Sequence, residues 1–379
     1  MKRHSKAGII FRIVFLLFYS VLFLISISCQ KDERLSSTQS QTVKVKTEVK
    51  ISVGGILYEN VDAHLKVSGF DANNNLQWTS EFEYTGPADT LAINYGYDHY
   101  AIELVDKWGI NDSQSITAKE LWDGRLDGPK PVTYGLGGSI AAKKLNKYIS
   151  YIEVDSAEAT IYQPETRVFF YYDQNGRLQS VHHETYSTQT SQFSETSVDS
   201  FTFADSVLTK IATTLNGNPA QDYQYDGNKI TETDYNSGIT TTQVVTKHLE
   251  TTSPSVSVDY SFSNGNSIAY SFVPVFKNIA QDKTISAGQL CNQGDYSYDK
   301  NINPFRHLGY MDLNLQNWSV NNKLAEHVDF LACSYSTLIP LFHYYTYDQD
   351  GYPIQKITKY KSSANQNSAH HSKTEFYYE

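Results

Sequence analysis

Three stretches of the chain begin in the manner of a calcium loop: Asp71-Ala72-Asn73-Asn74-Asn75, Asp173-Gln174-Asn175-Gly176 and Asp348-Gln349-Asp350-Gly351. An EF-hand loop needs Gly at its sixth position and a bidentate Glu at its twelfth. Counted from Asp71 the twelfth residue is Phe82, and from Asp348 it is Lys359. From Asp173 it is Glu184, but the fifth and sixth are Arg177 and Leu178. All three counts fail, so these aspartates read as turn formers, and no metal or cofactor is expected. His182-His183-Glu184 and His370-His371 are the histidine pairs. Neighbours on a strand point to opposite faces, so neither pair chelates by itself. Gly135-Leu136-Gly137-Gly138-Ser139 could form an anion nest ahead of a helix, but it lacks the Gly-Lys-Ser/Thr ending of a phosphate loop. No Gly-x-Ser-x-Gly and no His-Glu-x-x-His is present. Two carboxylates suited to glycoside hydrolysis would meet only in space, and no catalytic residue is assigned.

The three cysteines and one of the four tryptophans remain to be weighed. Cys29 closes an apolar leader. Cys291 and Cys333 stand in an export context where a disulfide is chemically allowed; two buried thiols satisfy the sequence equally. Trp318, in the polar run Leu315-Gln316-Asn317-Trp318-Ser319, is the aromatic residue best placed to stack on a ligand.

Composition points to sheet. The 379 residues include 29 Tyr and 18 Phe against 2 Met, and Tyr suits a half-buried strand. The formal charge is −10. Phosphate binding needs clustered Lys and Arg, so nucleic acid is disfavoured as a partner.

Residues 1–28 read as an export signal: a basic start (Lys2, Arg3, Lys6), then an apolar core from Ile13 to Ile27. An uncleaved signal anchor is the alternative. Ser26-Ile27-Ser28-Cys29 looks like a lipobox, with Ser26 where Leu is usual, and would place a lipid on Cys29. Residues 29–42 read as a flexible polar tether. Ser28-Cys29-Gln30-Lys31-Asp32-Glu33 resembles the start of mature lipoproteins of Bacteroidetes-type bacteria. That resemblance implies an outer-membrane lipoprotein facing the cell exterior.

The rest reads as all-β. Residues 43–122 carry the alternation Val43, Val45, Thr47, Val49, Ile51, Val53 and a Gly54-Gly55 turn, suggesting an immunoglobulin-like or transthyretin-like sandwich. Residues 123–150 form a connector, with a short helix expected over Ala141–Lys147 behind Ser139 as N-cap. Residues 151–379 repeat an aromatic pair followed by a turn, as in Tyr171-Tyr172-Asp173, Tyr223-Gln224-Tyr225-Asp226, Tyr296-Ser297-Tyr298-Asp299 and Tyr345-Thr346-Tyr347-Asp348. Asp opens such a turn by bonding backbone two residues on, and Gly takes the positive-φ position. The pattern predicts an antiparallel β-meander of unequal hairpins.

These copies resemble the hairpins of Rhs/YD-repeat proteins. Asn303-Pro304-Phe305, Ser319-Val320-Asn321-Asn322-Lys323-Leu324 and Tyr345-Thr346-Tyr347-Asp348, in that order, resemble a domain of unknown function in Bacteroidetes lipoproteins. That domain is described as porin-like, which implies a large meandering sheet and no active residues. Charged and polar residues on the strands argue against a lipid-facing barrel. The sequence therefore points to a non-catalytic envelope module with a glycan or an envelope protein as partner. A hydrolase with carboxylates on the C-terminal sheet, or a purely structural envelope protein, are the alternatives.

Overall fold

The computed structural model describes residues 41–84, 89–154, 161–248, 255–286, 288–310, 318–330, 340–361 and 369–379. The export signal, Cys29 and Cys333 lie outside the described residues.

The N-terminal unit holds β1 (Gln41–Val53), β2 (Ile56–Tyr58), β3 (Ala63–Phe70), β4 (Leu76–Glu83), β5 (Asp89–Tyr95), β6 (His99–Asp106), β7 (Ser113–Thr117), α1 (Ala118–Asp123) and β8 (Thr133–Ile140). Along β1 the residues from Val43 to Val53 alternate between buried and open, as a half-buried strand must. One sheet runs β2-β1-β5 with β8 parallel to β1, and the second runs β4-β3-β6-β7. Val45 and Ile51 of the first sheet and Leu65, Val67 and Ile102 of the second share one buried cluster.

The helix expected over 141–147 does not form. Ser139 is a strand residue, because the Gly135–Ser139 run lies within β8 and pairs with β1 over Lys46–Val53. It makes no anion nest. Gly137 faces Lys50 there so closely that a Cβ would lie 1.9 Å from the Lys50 carbonyl oxygen. From Leu145 onwards the chain instead finds strand partners on both sides, which outweigh a short isolated helix. The helix forms instead at α1, where Thr117 and Glu120 cap each other reciprocally. The stretch 133–140 thus belongs to the N-terminal unit, not to a connector.

The second body comprises β9 (Leu145–Val154), β10 (Ile161–Tyr172), β11 (Leu178–Ser187), β12 (Gln192–Ala204), β13 (Val207–Leu215), β14 (Asn218–Asp226), β15 (Lys229–Asp234) and β16 (Thr240–His248). It continues through β17 (Ser255–Phe262), β18 (Ser267–Val275), β19 (Asn278–Ser286), β20 (Gln289–Ile302), β21 (Asn321–Phe330), β22 (Leu341–Tyr347), β23 (Pro353–Lys361) and β24 (Ala369–Tyr378). Each strand is antiparallel to the next, and β24 pairs with β9 through Phe376↔Tyr148, which closes a sixteen-stranded barrel.

Closure gives the wall two faces. The 3-10 turn at Pro304–Leu308 follows β20, and Asn303, Pro304 and Phe305 share one cavity inside the barrel with residues of β18 to β24. Phe305 meets Tyr148 and Phe376 with ring centroids 5.9 and 6.1 Å apart, and Tyr310 meets Phe201 at 5.0 Å. Those rings therefore mark the inner face. By alternation the outer face carries Arg167, which pairs with Glu184 at 2.5 Å, Lys210 with Asp222 at 2.6 Å, and Lys373 with Glu375 at 2.8 Å.

The aspartates of the four Tyr-x-Tyr-Asp and Tyr-Tyr-Asp stretches lie at one end of the barrel. Asp348 Oδ1 accepts from the backbone N–H of Asp350 and of Tyr352, and Gly351 takes φ +77°. Asp173 does the same for Asn175 and Arg177. Asp299 instead accepts from the N–H of Asn301 and of Asn322, tying β20 to the start of β21. The N-terminal unit caps this end. Lys143 Nζ lies 2.6 Å from carboxylate oxygens of both Asp348 and Asp350, and Trp108 Nε1 donates to the Asp350 carbonyl at 2.9 Å. Ile302, Val320 and Tyr352 of the barrel complete the buried cluster of the N-terminal unit.

Candidate functional site in the barrel lumen

The inner faces of β18 to β24, with the 3-10 turn, line a chamber of about 290 Å³. Its floor is the capped end of the barrel. There Asn278 and Asn321 exchange hydrogen bonds, and Asn321 Nδ2 donates to the carbonyls of Asn60 and Asn301. Asn303 caps the 3-10 turn and donates to the Ser319 carbonyl at 2.9 Å. Tyr298 accepts from Ser319 Oγ and donates to the Ile279 carbonyl. These are buried polar groups with satisfied partners, as a rigid floor requires.

The walls carry charge. Asp282 (β19), Lys323 and Glu326 (β21), His343 (β22) and Lys356 (β23) line the chamber beside Tyr296, Tyr298 and Tyr345. Burial alone would raise the Glu326 carboxyl; the His343 hydrogen bond and the Lys323 charge outweigh it and hold Glu326 at about 2. Burial lowers His343, so the neutral ring donates from Nε2 to Glu326 at 3.0 Å and accepts the Thr358 hydroxyl at Nδ1, 2.9 Å away. Asp282 is displaced the other way. Burial raises its carboxyl, the Glu326 charge adds to that, and the Tyr296 hydroxyl hydrogen bond offsets part of it. Burial also lowers the Lys356 ammonium.

Thr358, His343 and Glu326 have the order of a hydroxyl–imidazole–carboxylate relay. Thr358 is buried and does not line the chamber, so a substrate held there would not meet its hydroxyl. The three residues act as a cross-strand polar ladder. Among the described residues, no group of three or more His, Cys, Asp or Glu side chains could hold a metal ion.

Trp318 lies half-buried against the lumenal cluster of Val245, Val256, Val258, Phe272 and Ile279. His182 and His183 point to opposite faces, the first to Glu195 outside at 2.7 Å and the second to Asp199 inside at 3.0 Å. His371 lies 3.7 Å from Glu153. Cys291 is buried in β20 and disulfide-bonded. Sequence reasoning missed the residues of the chamber wall. Asp282, Glu326, His343 and Lys356 are spread over 75 positions of sequence and meet only through strand pairing.

No family model matches the chain, and no curated protein matches it. Among solved structures it is similar to a porin-like protein from Bacteroides uniformis, at 11% identity and a TM-score of 0.43, over 62% of this chain and 98% of that one. A porin-like protein from Bacteroides vulgatus is similar at 10% identity and a TM-score of 0.32, over 62% of this chain and 99% of that one. Likeness at this level does not bear on what the chain does.

Proposed function

We propose that the chain is an exported envelope protein, held to the outer membrane by a lipid on Cys29 and facing the cell exterior, whose barrel is a non-catalytic binding body. The observation that carries the binding role is the half-open polar chamber of about 290 Å³, near the lower end of small-molecule pockets. Its tyrosines and asparagines suit a ligand of monosaccharide size, which is the form in which a glycan partner fits best. The polar outer wall supports attachment by the lipid rather than by the strands, since a Lys or Arg at the bilayer midplane of a barrel costs about 2–4 kcal/mol. We assign Cys333 as the partner of Cys291, to be checked by mass mapping of the unreduced chain.

Isothermal titration of the Cys29→Ser chain against monosaccharides, sugar acids and small aromatic acids is expected to give saturable binding, and Glu326→Gln should weaken that of the neutral monosaccharides. Absence of saturable binding across the panel would refute the chamber's role.

One observation favours a hydrolase as the second reading. Asp282 and Glu326 share the chamber, with the first carboxyl pushed up and the second down, the division of labour that an acid and a base need. That reading requires hydrolysis of aryl glycosides that both Asp282→Asn and Glu326→Gln abolish.

A further inference from the structure

We infer that the chamber takes a small organic monoanion, a carboxylate, with the Lys356 ammonium and the Tyr345 hydroxyl as its paired donors; this rests on the chamber being a ligand site. Tyr345 and Lys356 are register partners on β22 and β23, and both side chains line the chamber. Lys356 is part-buried in the inner wall, with Thr374 of β24 as its partner on the other side. Among the described residues its ammonium makes no hydrogen bond and no ion pair within 4 Å, the Glu326 charge acting on it from farther away, and the Tyr345 hydroxyl makes no hydrogen bond.

The other charges facing the chamber are already engaged. Glu326 is held by His343 at 3.0 Å and Lys323 at 3.4 Å. Asp282 accepts from the Tyr296 hydroxyl and the Gly294 N–H. A buried ammonium is costly unless it is paired. Here it has a donor beside it and open space in front. A carboxylate, with two acceptor oxygens, answers both donors at once. Phe272, Phe305 and Phe376 close the same space, giving a hydrocarbon or ring portion something to pack on, which inorganic phosphate lacks. The Asp282 and Glu326 carboxylates oppose a second negative charge, so a monoanion fits better than a dianion.

The test compares isosteres on the Cys29→Ser chain by isothermal titration: benzoate with benzamide, glucuronate with glucuronamide, and inorganic phosphate. The carboxylates are expected to bind about tenfold more tightly than their amides, since an unmet buried donor pair discriminates strongly. Lys356→Met should remove that preference while leaving the amide affinity in place, and Lys356→Arg should restore part of it. Lys359→Met, three residues along on the opposite face of the same strand, should change neither; circular dichroism of each variant checks folding. Equal affinity for acid and amide, a preference that survives Lys356→Met, or phosphate binding as tightly as the carboxylates would each overturn the inference and leave the chamber reading standing. Failure of every probe to bind would overturn both.

Discussion

The Tyr58 hydroxyl lies 2.9 Å from His307 Nε2, joining the N-terminal unit to the 3-10 turn that follows β20, with the two rings stacked 6.1 Å apart. Burial, with the neighbouring Arg306 charge added, lowers His307 from 6.5 to about 4. The folded ring is therefore neutral where an unfolded one begins to take up a proton. Its contribution to stability is complete above pH 6.5 and is lost as pH falls from 6.5 towards 4, a window worth up to about 3 kcal/mol. Urea denaturation across that window should show the loss, and His307→Gln should flatten it. An unchanged slope in the variant would place the acid sensitivity elsewhere.

Asp348 holds a turn and a seam together. Its Oδ1 organises the turn through the Asp350 and Tyr352 N–H groups, and its Oδ2 meets Lys143. Asp348→Asn keeps an acceptor for the turn and loses the charge. A part-exposed pair is worth at most about 1 kcal/mol, so the Asn variant should cost no more than that. Asp348→Ala strips the turn of both acceptor bonds as well and should cost about 1–3 kcal/mol. Equal midpoints in urea for the two variants would remove the turn from the account.

How much of this was legible follows from the residues. The β1 alternation and the Asp-x-x-Gly turns are local signals, and they read directly as strands and hairpins. The β1–β8 parallel pair was not legible, because glycines at 135, 137 and 138 look like loop punctuation until Lys50 is seen against Gly137. Closure depends on Phe376 meeting Tyr148, a contact that no local pattern announces. The facing of the barrel strands was also hidden. Lys356 points into the lumen and Lys359 outward, yet both sit in the same polar run, Gln355-Lys356-Ile357-Thr358-Lys359. A wall polar on both faces gives no hydrophobic marker for the inside. The Asn303-Pro304-Phe305 and Ser319–Lys323 stretches, which carry the resemblance to a domain of unknown function, supply the chamber floor, a role no local pattern in them announces.

Glycines 135 and 137 provide a matched pair. Gly137 adopts φ +150°, and a Cβ there would meet the Lys50 backbone at 1.9 Å. Gly135 has nothing within 4 Å of the same position. Gly137→Ala must part β8 from β1 or distort both, and should cost about 3 kcal/mol or more. Gly135→Ala should stay within about 0.5 kcal/mol of the unsubstituted chain. Thermal melts of the two variants would test the register, since only in the observed register does residue 137, and not residue 135, face Lys50.

The outer wall makes a prediction about attachment. Arg167, Lys210 and Lys373 face outward and are paired with Glu184, Asp222 and Glu375 along the strands. Ion pairs do not make such a surface apolar, and each cation near a bilayer midplane would still cost about 2–4 kcal/mol. Exposed rings such as Tyr344 and Phe342 interrupt the polar surface. If lipid on Cys29 is the attachment, the unsubstituted chain should enter the detergent phase on Triton X-114 partition and Cys29→Ser should stay in the aqueous phase. A Cys29→Ser chain that still sediments with membranes after a carbonate wash would mean that the barrel wall itself contacts lipid, and the reading of the polar outer face would have to be abandoned.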